Sequence, residues 1–77
     1  MEGSLNINGD KVEIIFDDGT KRELHEGDKF EVFVFTALIR FEWITVTLIK
    51  ENGEYTLKSP GSRPIPFGKI SKVRKDD

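Results

Sequence analysis

Two adjacent carboxylates are the side chains in this sequence whose spacing best suits chemistry. Asp17 and Asp18 could bind a metal ion or act as an acid and base pair, but two carboxylates supply too few oxygens for a calcium loop. Gly19 follows them, and aspartate is common in turns because its carboxylate accepts hydrogen bonds from nearby backbone N–H groups. A structural role in a turn is therefore the favoured interpretation, and we predict no metal site.

His25 is the only imidazole in the chain. A histidine base needs a nucleophile or an orienting partner within reach, and the sequence has no cysteine and no Gly-x-Ser-x-Gly elbow. Residues 59–62 are rich in turn residues but lack the Gly-Lys-Ser/Thr ending of a phosphate loop. We therefore expect a non-catalytic protein with no catalytic residue and no cofactor, in which His25 lies in a solvated turn.

The charged residues are unevenly distributed along the chain. Twelve bases and fourteen acids give a formal net charge of −2, yet residues 1–31 hold nine acids and four bases, and residues 58–75 hold six bases and no acid. The basic segment could contact phosphate or an acidic protein, or its charges could serve only to keep a highly charged β-protein soluble. The candidate nucleic-acid-binding residues are Lys58, Arg63, Lys69, Lys72, Arg74 and Lys75.

The centre of the chain holds most of the material for a core. Residues 30–49 contain 14 of the 28 hydrophobic residues and no glycine or proline, and most of them are β-branched or aromatic, which favours strands. The longest apolar run is far shorter than the ~20 residues that span a bilayer, and the N-terminus lacks a basic and apolar signal segment. Together with the absence of cysteine, this predicts a soluble protein of the cytoplasm.

Glycine-containing turns predict hairpins on both sides of this central segment. A loop of Asn8 and Gly9 sets Leu5 opposite Val12. At residues 17–19, a two-residue loop would place Leu24 opposite an acid and a three-residue loop would place it opposite Val12; the apolar pairing is preferred. Further along the chain, the sequence predicts an Asn-Gly turn at residues 52–53, a proline-containing segment at 63–68 that cannot be a central strand, and a last strand at 69–74.

The register of the central hairpin is set by its reversal, which we place at Thr36 and Ala37. Arg40 then lies across from Phe33, where it could stack on the ring. The parity of the apolar residues changes after Trp43, so we predict a bulge at residues 43–44. The resulting apolar face consists of the pairs Phe30 with Trp43, Val32 with Phe41 and Val34 with Ile39.

Several turn and core motifs occur in order along the chain: Gly27-Asp28-x-Phe-Glu-Val, Glu42-Trp43, Asn52-Gly53-x-Tyr55-x-Leu57 and Gly68-x-Ile-x-x-Val-Arg. Over residues 27–74 they resemble an uncharacterised family of small bacterial domains. The resemblance implies a Src-homology-3-like barrel and, because that family has no settled activity, carries over no catalytic or binding residue. The chain departs from the family in its extended central segment and its acidic N-terminal hairpins.

The predicted fold is all-β, a small Src-homology-3-like barrel of five to six strands with an added N-terminal β-hairpin. We expect one domain over residues 1–77. Its parts are N-terminal hairpins at residues 1–26, the barrel core at 27–74 and a frayed tail at 75–77.

A binding module is the favoured function, because a barrel this small has little room for a water-excluding cleft. The central segment holds more aromatic and apolar residues than one small core uses, and exposed clusters of this kind mark protein interfaces. The alternative is that the N-terminal hairpins cover this face. The candidate residues for binding a protein partner or a second copy of the chain are Phe33, Phe35, Leu38, Arg40, Phe41 and Trp43.

Two other functions remain open. The six C-terminal bases, with Tyr55 and Phe67 for stacking, could bind single-stranded nucleic acid. The nine acids before Val32 could instead mimic phosphate and block a nucleic-acid enzyme, as small inhibitors from phages and mobile elements can. No membrane and no small-molecule substrate is predicted as a partner.

Overall fold

The computed structural model describes residues 1–37, 40–61 and 63–75, with the backbone alone at positions 36 and 37. A 3₁₀ turn, Phe67–Lys69, precedes the last strand, and this part of the chain contains no helix long and apolar enough to cross a membrane. The all-β prediction is confirmed. The strands are β1 (Glu2–Asn8), β2 (Lys11–Phe16), β3 (Lys21–Leu24), β4 (Lys29–Ala37), β5 (Arg40–Glu51), β6 (Glu54–Ser59), β7 (Arg63–Ile65) and β8 (Ile70–Arg74).

The strands form one antiparallel sheet in the order β3-β2-β1-β8-β4-β5-β6-β7. Strands β1 to β3 make one meander and β4 to β7 make another. The last strand lies between the two meanders, where Val73 faces Gly3 of β1 on one side and Val32 of β4 on the other. Within the described residues the sheet has eight strands and is not closed, so the Src-homology-3-like barrel of five to six strands is not confirmed.

The core is built from the inward face of this sheet. Because no helical layer covers it in the described ranges, the sheet must curl so that β2 and β3 pack against β5 and β6. The turn after β3 joins the two halves: the Gly27 N–H donates to the Leu48 carbonyl at 2.7 Å, and the Leu48 N–H donates to the Asp28 carbonyl at 2.9 Å. The buried cluster contains Val12, Ile14, Phe16, Leu24, Phe30, Val32, Val34, Val46, Leu48, Leu57 and Val73.

The first hairpin has a different register from the predicted one. Its two-residue loop begins at Gly9 rather than at Asn8, so that Leu5 faces Ile14 instead of Val12. Gly9 has a φ of +65°, and positive φ at the first loop position is typical of a type II′ turn. The pairing moves by an even number of residues, which keeps every side chain on its predicted face. The inward side chains of β2 are therefore buried as predicted.

The second turn has the predicted register. Its three-residue loop ends at Gly19, which has a φ of +91°, and Leu24 faces Val12. The carboxylate of Asp18 accepts hydrogen bonds from the backbone N–H of Thr20 at 3.0 Å and from its hydroxyl at 2.6 Å. These bonds, the hydroxyl's above all, lower the pKa of Asp18. This carboxylate therefore stabilises the turn.

The β4–β5 hairpin lies three residues out of the predicted register. The prediction reversed the chain at residues 36–37 and set Phe30 opposite Trp43, whereas β4 continues through both of these residues and Phe33 faces Trp43. The new register places Phe30 opposite Val46 on the inward face. It therefore assigns the tryptophan to the outward face of the sheet, where the prediction had placed it in the core.

Two further details of this hairpin follow from its register. Val34 was predicted to face Ile39, a residue that lies outside the described residues. In the structure, Val34 faces a different residue, which belongs to β5. The predicted bulge at residues 43–44 is wrong, because the inward residues of β5 alternate without a break once the tryptophan faces outward. The irregularity in the ladder lies between Phe35 and Ala37 instead.

The third hairpin has both the predicted turn and the predicted register. Asn52 and Gly53 have φ values of +52° and +79°, as a type I′ turn requires, and Leu48 faces Leu57. The proline-containing segment forms β7, which pairs with β6 at the edge of the described sheet, so the prediction that it is not a central strand is confirmed. The last strand begins at Ile70, one residue later than predicted.

A close approach between β1 and β2 gives the first testable prediction. A Cβ added to the buried Gly3 would overlap the carbonyl oxygen of Ile15 and lie 2.7 Å from the Cα of Phe16. Both are backbone atoms, so the strands would have to separate. We expect Gly3→Ala to lower the free energy of unfolding by about 1–3 kcal/mol, the usual cost of overpacking, in urea denaturation.

The matched control for this prediction is Gly68→Ala. A Cβ at Gly68 meets nothing within 4 Å, and the φ of this residue is not positive. We expect this substitution to change the unfolding free energy by less than about 0.5 kcal/mol. Equal stabilities of the two variants would contradict the close β1–β2 contact.

Candidate protein-binding site

The residues considered for catalysis lie in exposed turns. The His25 side chain is 73% exposed, and the carboxylate of Asp28 accepts a hydrogen bond from the backbone N–H of His25 at 2.8 Å. Asp28 therefore closes the turn between β3 and β4. Among the residues that the structure describes, no group of three or more histidine or acidic side chains could hold a metal ion. The geometry in this region is that of turn stabilisation.

Four aromatic rings form a continuous row on the outer face of β4 and β5, which we call the aromatic ladder: Phe35, Phe41, Phe33 and Trp43. Phe33 and Phe41 stack with ring centroids 5.3 Å apart and planes 17° apart. Phe35 meets Phe41 edge-on at 5.3 Å, and Trp43 lies 5.0 Å from Phe33 at a tilt of 44°. Such pairs contribute about 0.5–1.5 kcal/mol beyond their buried area, so the rings hold one another in place.

The outer end of the aromatic ladder is exposed. Phe35 is 41% exposed and Phe41 47%, whereas Phe33 and Trp43 are half-buried. The inward side chains of the N-terminal meander pack into the core and do not cover these two rings. The alternative in which the N-terminal hairpins cover them is therefore wrong for Phe35 and Phe41.

The two remaining candidates of the predicted protein-binding site lie at the tip of this hairpin. Leu38 is outside the described residues. Arg40 is exposed and lies across from Ala37, so its predicted position opposite Phe33 is wrong. The structure therefore brings together the four aromatic candidates, with both strands contributing two rings each. This grouping depends on the observed register of β4 and β5. The predicted register had placed Phe41 and Trp43 on the inward face.

Two cations of β8 lie over the inner end of the aromatic ladder. The Lys72 ammonium is 5.1 Å from the ring centroid of Phe33 and 5.8 Å from that of Trp43. The Arg74 guanidinium carbon is 4.0 Å from the Trp43 centroid. Cations at these distances are attracted to the ring faces. The structure therefore joins part of the predicted basic surface to the predicted aromatic surface, which the sequence had treated as separate sites.

Both of these cations also have acidic partners. Arg74 donates two hydrogen bonds to the carboxylate of Glu31, at 2.9 and 3.0 Å, and Lys72 lies 3.2 Å from a carboxylate oxygen of Glu2. The Arg74 hydrogen bond is the main reason why the pKa of Glu31 is lowered. One pair joins β1 to the last strand and the other joins β4 to the last strand. Acids from the first half of the sequence therefore compensate bases from the second half.

The other predicted nucleic-acid-binding residues have varied surroundings. Lys58 forms an ion pair with Glu51 at 2.6 Å, and the Lys75 ammonium donates to the Lys29 carbonyl at 2.7 Å. Two adjoining hollows share Lys29 and Thr45, and the other lysines that line them are Lys58 and Lys75. Tyr55 and Phe67, the candidate stacking residues, are half-buried and pack against the core. The last two candidates, Arg63 and Lys69, line a separate groove.

This separate site, which we call the proline groove, is an open groove of about 780 Å³ at one end of the sheet. Its floor comes from β4 and β5, and its wall comes from β7 and from the prolines before and after that strand. Sequence reasoning missed it, although three prolines spaced over seven positions could have indicated a rigid wall. The lining residues are Val34, Phe35, Glu42, Ile44, Ser59, Pro60, Arg63, Pro64, Ile65, Pro66 and Lys69.

The Glu31–Arg74 pair gives a prediction about pH. Because the folded state holds the pKa of Glu31 below its ordinary value, the pair stabilises the fold above that ordinary value, and its contribution is lost as the pH falls through the lowered pKa. We expect Arg74→Gln to raise the pKa of Glu31 in a carboxyl NMR titration. Arg63→Gln is the control, and an unchanged Glu31 titration in the Arg74 variant would refute the pairing.

The comparison with known proteins places the chain in a family. No curated protein and no solved structure matches the chain. Residues 4–74, which include all strands from β2 to β8 and most of β1, match a family described as a domain of unknown function, DUF5348. The matched range extends beyond residues 27–74, so the N-terminal meander is part of the family domain. The chain therefore belongs to the DUF5348 family.

Proposed function

We propose that this domain is a non-catalytic protein-binding module whose contact surface is the aromatic ladder. The observation that carries the proposal is the exposure of Phe35 and Phe41, which are 41% and 47% exposed on the outer face of two central strands. Contiguous exposed aromatic rings are uncommon on monomeric domains, because burying them in an interface releases water from apolar surface. Aromatic anchors of this kind dominate the binding energy of many interfaces.

The packing of the ladder supports an anchor role. Phe41 is fixed between Phe33 and Phe35, with both ring centroids 5.3 Å away. A ring that is already held in one orientation loses little side-chain entropy when a partner covers it. The inner rings, Phe33 and Trp43, are half-buried and support the exposed ones. The ladder therefore offers a partner a preorganised apolar surface bordered by charged residues.

A second candidate function is the binding of single-stranded nucleic acid on the same outer face. It is favoured by the hollows next to the ladder, which are lined by Lys29, Lys58, Arg74 and Lys75. Two observations weigh against it. Bases stack on free ring faces, and the faces of the inner rings are occupied by other rings and by cations. Several of the cations already have carboxylate partners, which reduces the field available to phosphate.

The third expectation, an acidic inhibitor of a nucleic-acid enzyme, receives less support from the geometry. Glu2 and Glu31 pair with cations of β8, and Asp18 and Asp28 bind backbone groups in turns. Glu13 accepts a hydrogen bond from the Asn6 amide, so five of the nine N-terminal acids are engaged within the molecule. An acidic surface that mimics phosphate would need these charges directed toward a partner.

The proposal predicts that a double variant of the exposed rings, Phe35→Ser with Phe41→Ser, loses binding while keeping its fold. The measurement is capture of partners from the source cell by the immobilised domain, together with sedimentation velocity of the purified protein. We expect the wild type to retain a stoichiometric partner or to self-associate, and the double variant to lose that interaction by at least about tenfold.

The matched control is Ile7→Ser, because Ile7 is 46% exposed on β1 and does not belong to the ladder. It should bind as the wild type does. The proposal fails if the wild type is a strict monomer and the double variant captures the same proteins. The nucleic-acid function would be favoured instead if the wild type captured no protein partner and bound a ten-nucleotide oligothymidylate with a salt-sensitive affinity that the double variant loses.

A further inference from the structure

The proline groove combines an apolar floor with a wall that contains prolines. Val34 is buried beneath it, Ile44 and Ile65 are half-buried along it, and Pro64 and Pro66 form part of the wall. Its volume of about 780 Å³ lies in the range of ligand-binding pockets, roughly 300–1,000 Å³. Proline has a fixed φ and no N–H group, so Pro64 and Pro66 limit the backbone freedom of the wall at their own positions.

Two of the six cations in residues 58–75 lie at this groove. Four of the six are engaged: Lys58, Lys72 and Arg74 with carboxylates, and Lys75 with a backbone carbonyl. The other two, Arg63 and Lys69, line the groove, and their side chains make no ion pair within the described ranges. A rim with two cations and one acid, Glu42, carries a net positive charge. It is therefore complementary to an acidic group.

The edge of the sheet limits how a ligand could bind here. β7 is an edge strand, and an exposed edge usually invites a further strand through backbone hydrogen bonds. Pro64 lies in the middle of β7 and has no N–H to donate, which blunts this edge. A bound segment must therefore be held by side chains, with apolar groups on the floor and an acidic group at the rim.

We propose that the proline groove binds an extended peptide segment in which an acidic side chain alternates with an apolar one. The acidic group faces Arg63 and Lys69, and the apolar group rests on Ile44 and Ile65. Phe35 lines the groove and is also the outermost ring of the aromatic ladder. The segment therefore belongs to the partner that covers the ladder, and in this respect the inference rests on the proposed function.

The direct test uses the synthetic peptide acetyl-Glu-Leu-Asp-Val-Glu-Leu-amide and the intact domain. NMR titration should shift the amide signals of Ile44 and Ile65. We expect the Arg63→Gln, Lys69→Gln double variant to bind this peptide at least about tenfold more weakly, since hydrogen bonds to charged groups are of that strength. Glu42→Gln should bind it more tightly, because a like charge is removed from the rim.

The controls separate the charge of the rim from general electrostatics. Lys21→Gln removes an exposed lysine from β3 at the opposite edge of the sheet and should leave the affinity unchanged. The amide analogue acetyl-Gln-Leu-Asn-Val-Gln-Leu-amide should bind about tenfold more weakly than the acidic peptide. Equal binding of the two peptides, or binding by an oligothymidylate in place of the acidic peptide, would overturn the inference.

The partner captured through the ladder distinguishes this inference from the proposed function. Phe41→Ser removes a ladder ring that does not line the groove, and the Arg63 and Lys69 substitutions leave the ladder intact. Loss of the partner in both cases supports the inference. Loss in Phe41→Ser alone, with full binding by the double charge variant, overturns the inference and leaves the proposed function standing.

Discussion

The pairing of Phe33 with Trp43 determines which side of the β4–β5 hairpin packs into the core. Side chains alternate across a strand, so one cross-strand pair assigns a face to every other residue of both strands. With this pair outward, Phe30 and Val46 meet on the inward face. A shift of one residue would exchange the two faces of a strand and place charged side chains in the core.

A second constraint is that this sheet must bury its own inward face. The chain has no cysteine, and the described residues contain no helix beyond one 3₁₀ turn, so neither a disulfide nor a helical layer stabilises the core. The insertion of β8 between β1 and β4 meets this requirement, because it joins the two meanders into one sheet that can curl over a common core. Val73 is fully buried at that junction. The same insertion places Lys72 and Arg74 beside the aromatic ladder.

Local turn chemistry explains which parts of the fold were predictable. Gly19 and the Asn52–Gly53 pair each identify their loop, because few residues accept positive φ, and both registers were predicted correctly. The central reversal contains no glycine, asparagine or proline to identify it, and its register was wrong. The position of β8 depends on contacts between residues about 70 positions apart, such as Gly3 with Val73. No local sequence pattern predicts such contacts.

The candidate site was predictable in its residue types but not in its arrangement. The surplus of aromatic residues indicated an apolar surface, and all four rings of the ladder were among the candidates. Their assembly on one face, and their contact with cations of β8, needed the correct register and the position of the last strand. The proline groove depends on tertiary structure alone, since its floor and wall come from residues as distant as Val34 and Lys69.

NOEs from the single tryptophan, Trp43, test the register of the β4–β5 hairpin most directly. The register described here predicts contacts between the protons of the indole ring and those of the Phe33 ring, with further contacts to the Lys72 side chain. Contacts from the indole to Phe30, with Trp43 fully protected from solvent, would contradict the outward face. They would remove the aromatic ladder and, with it, the proposed binding surface.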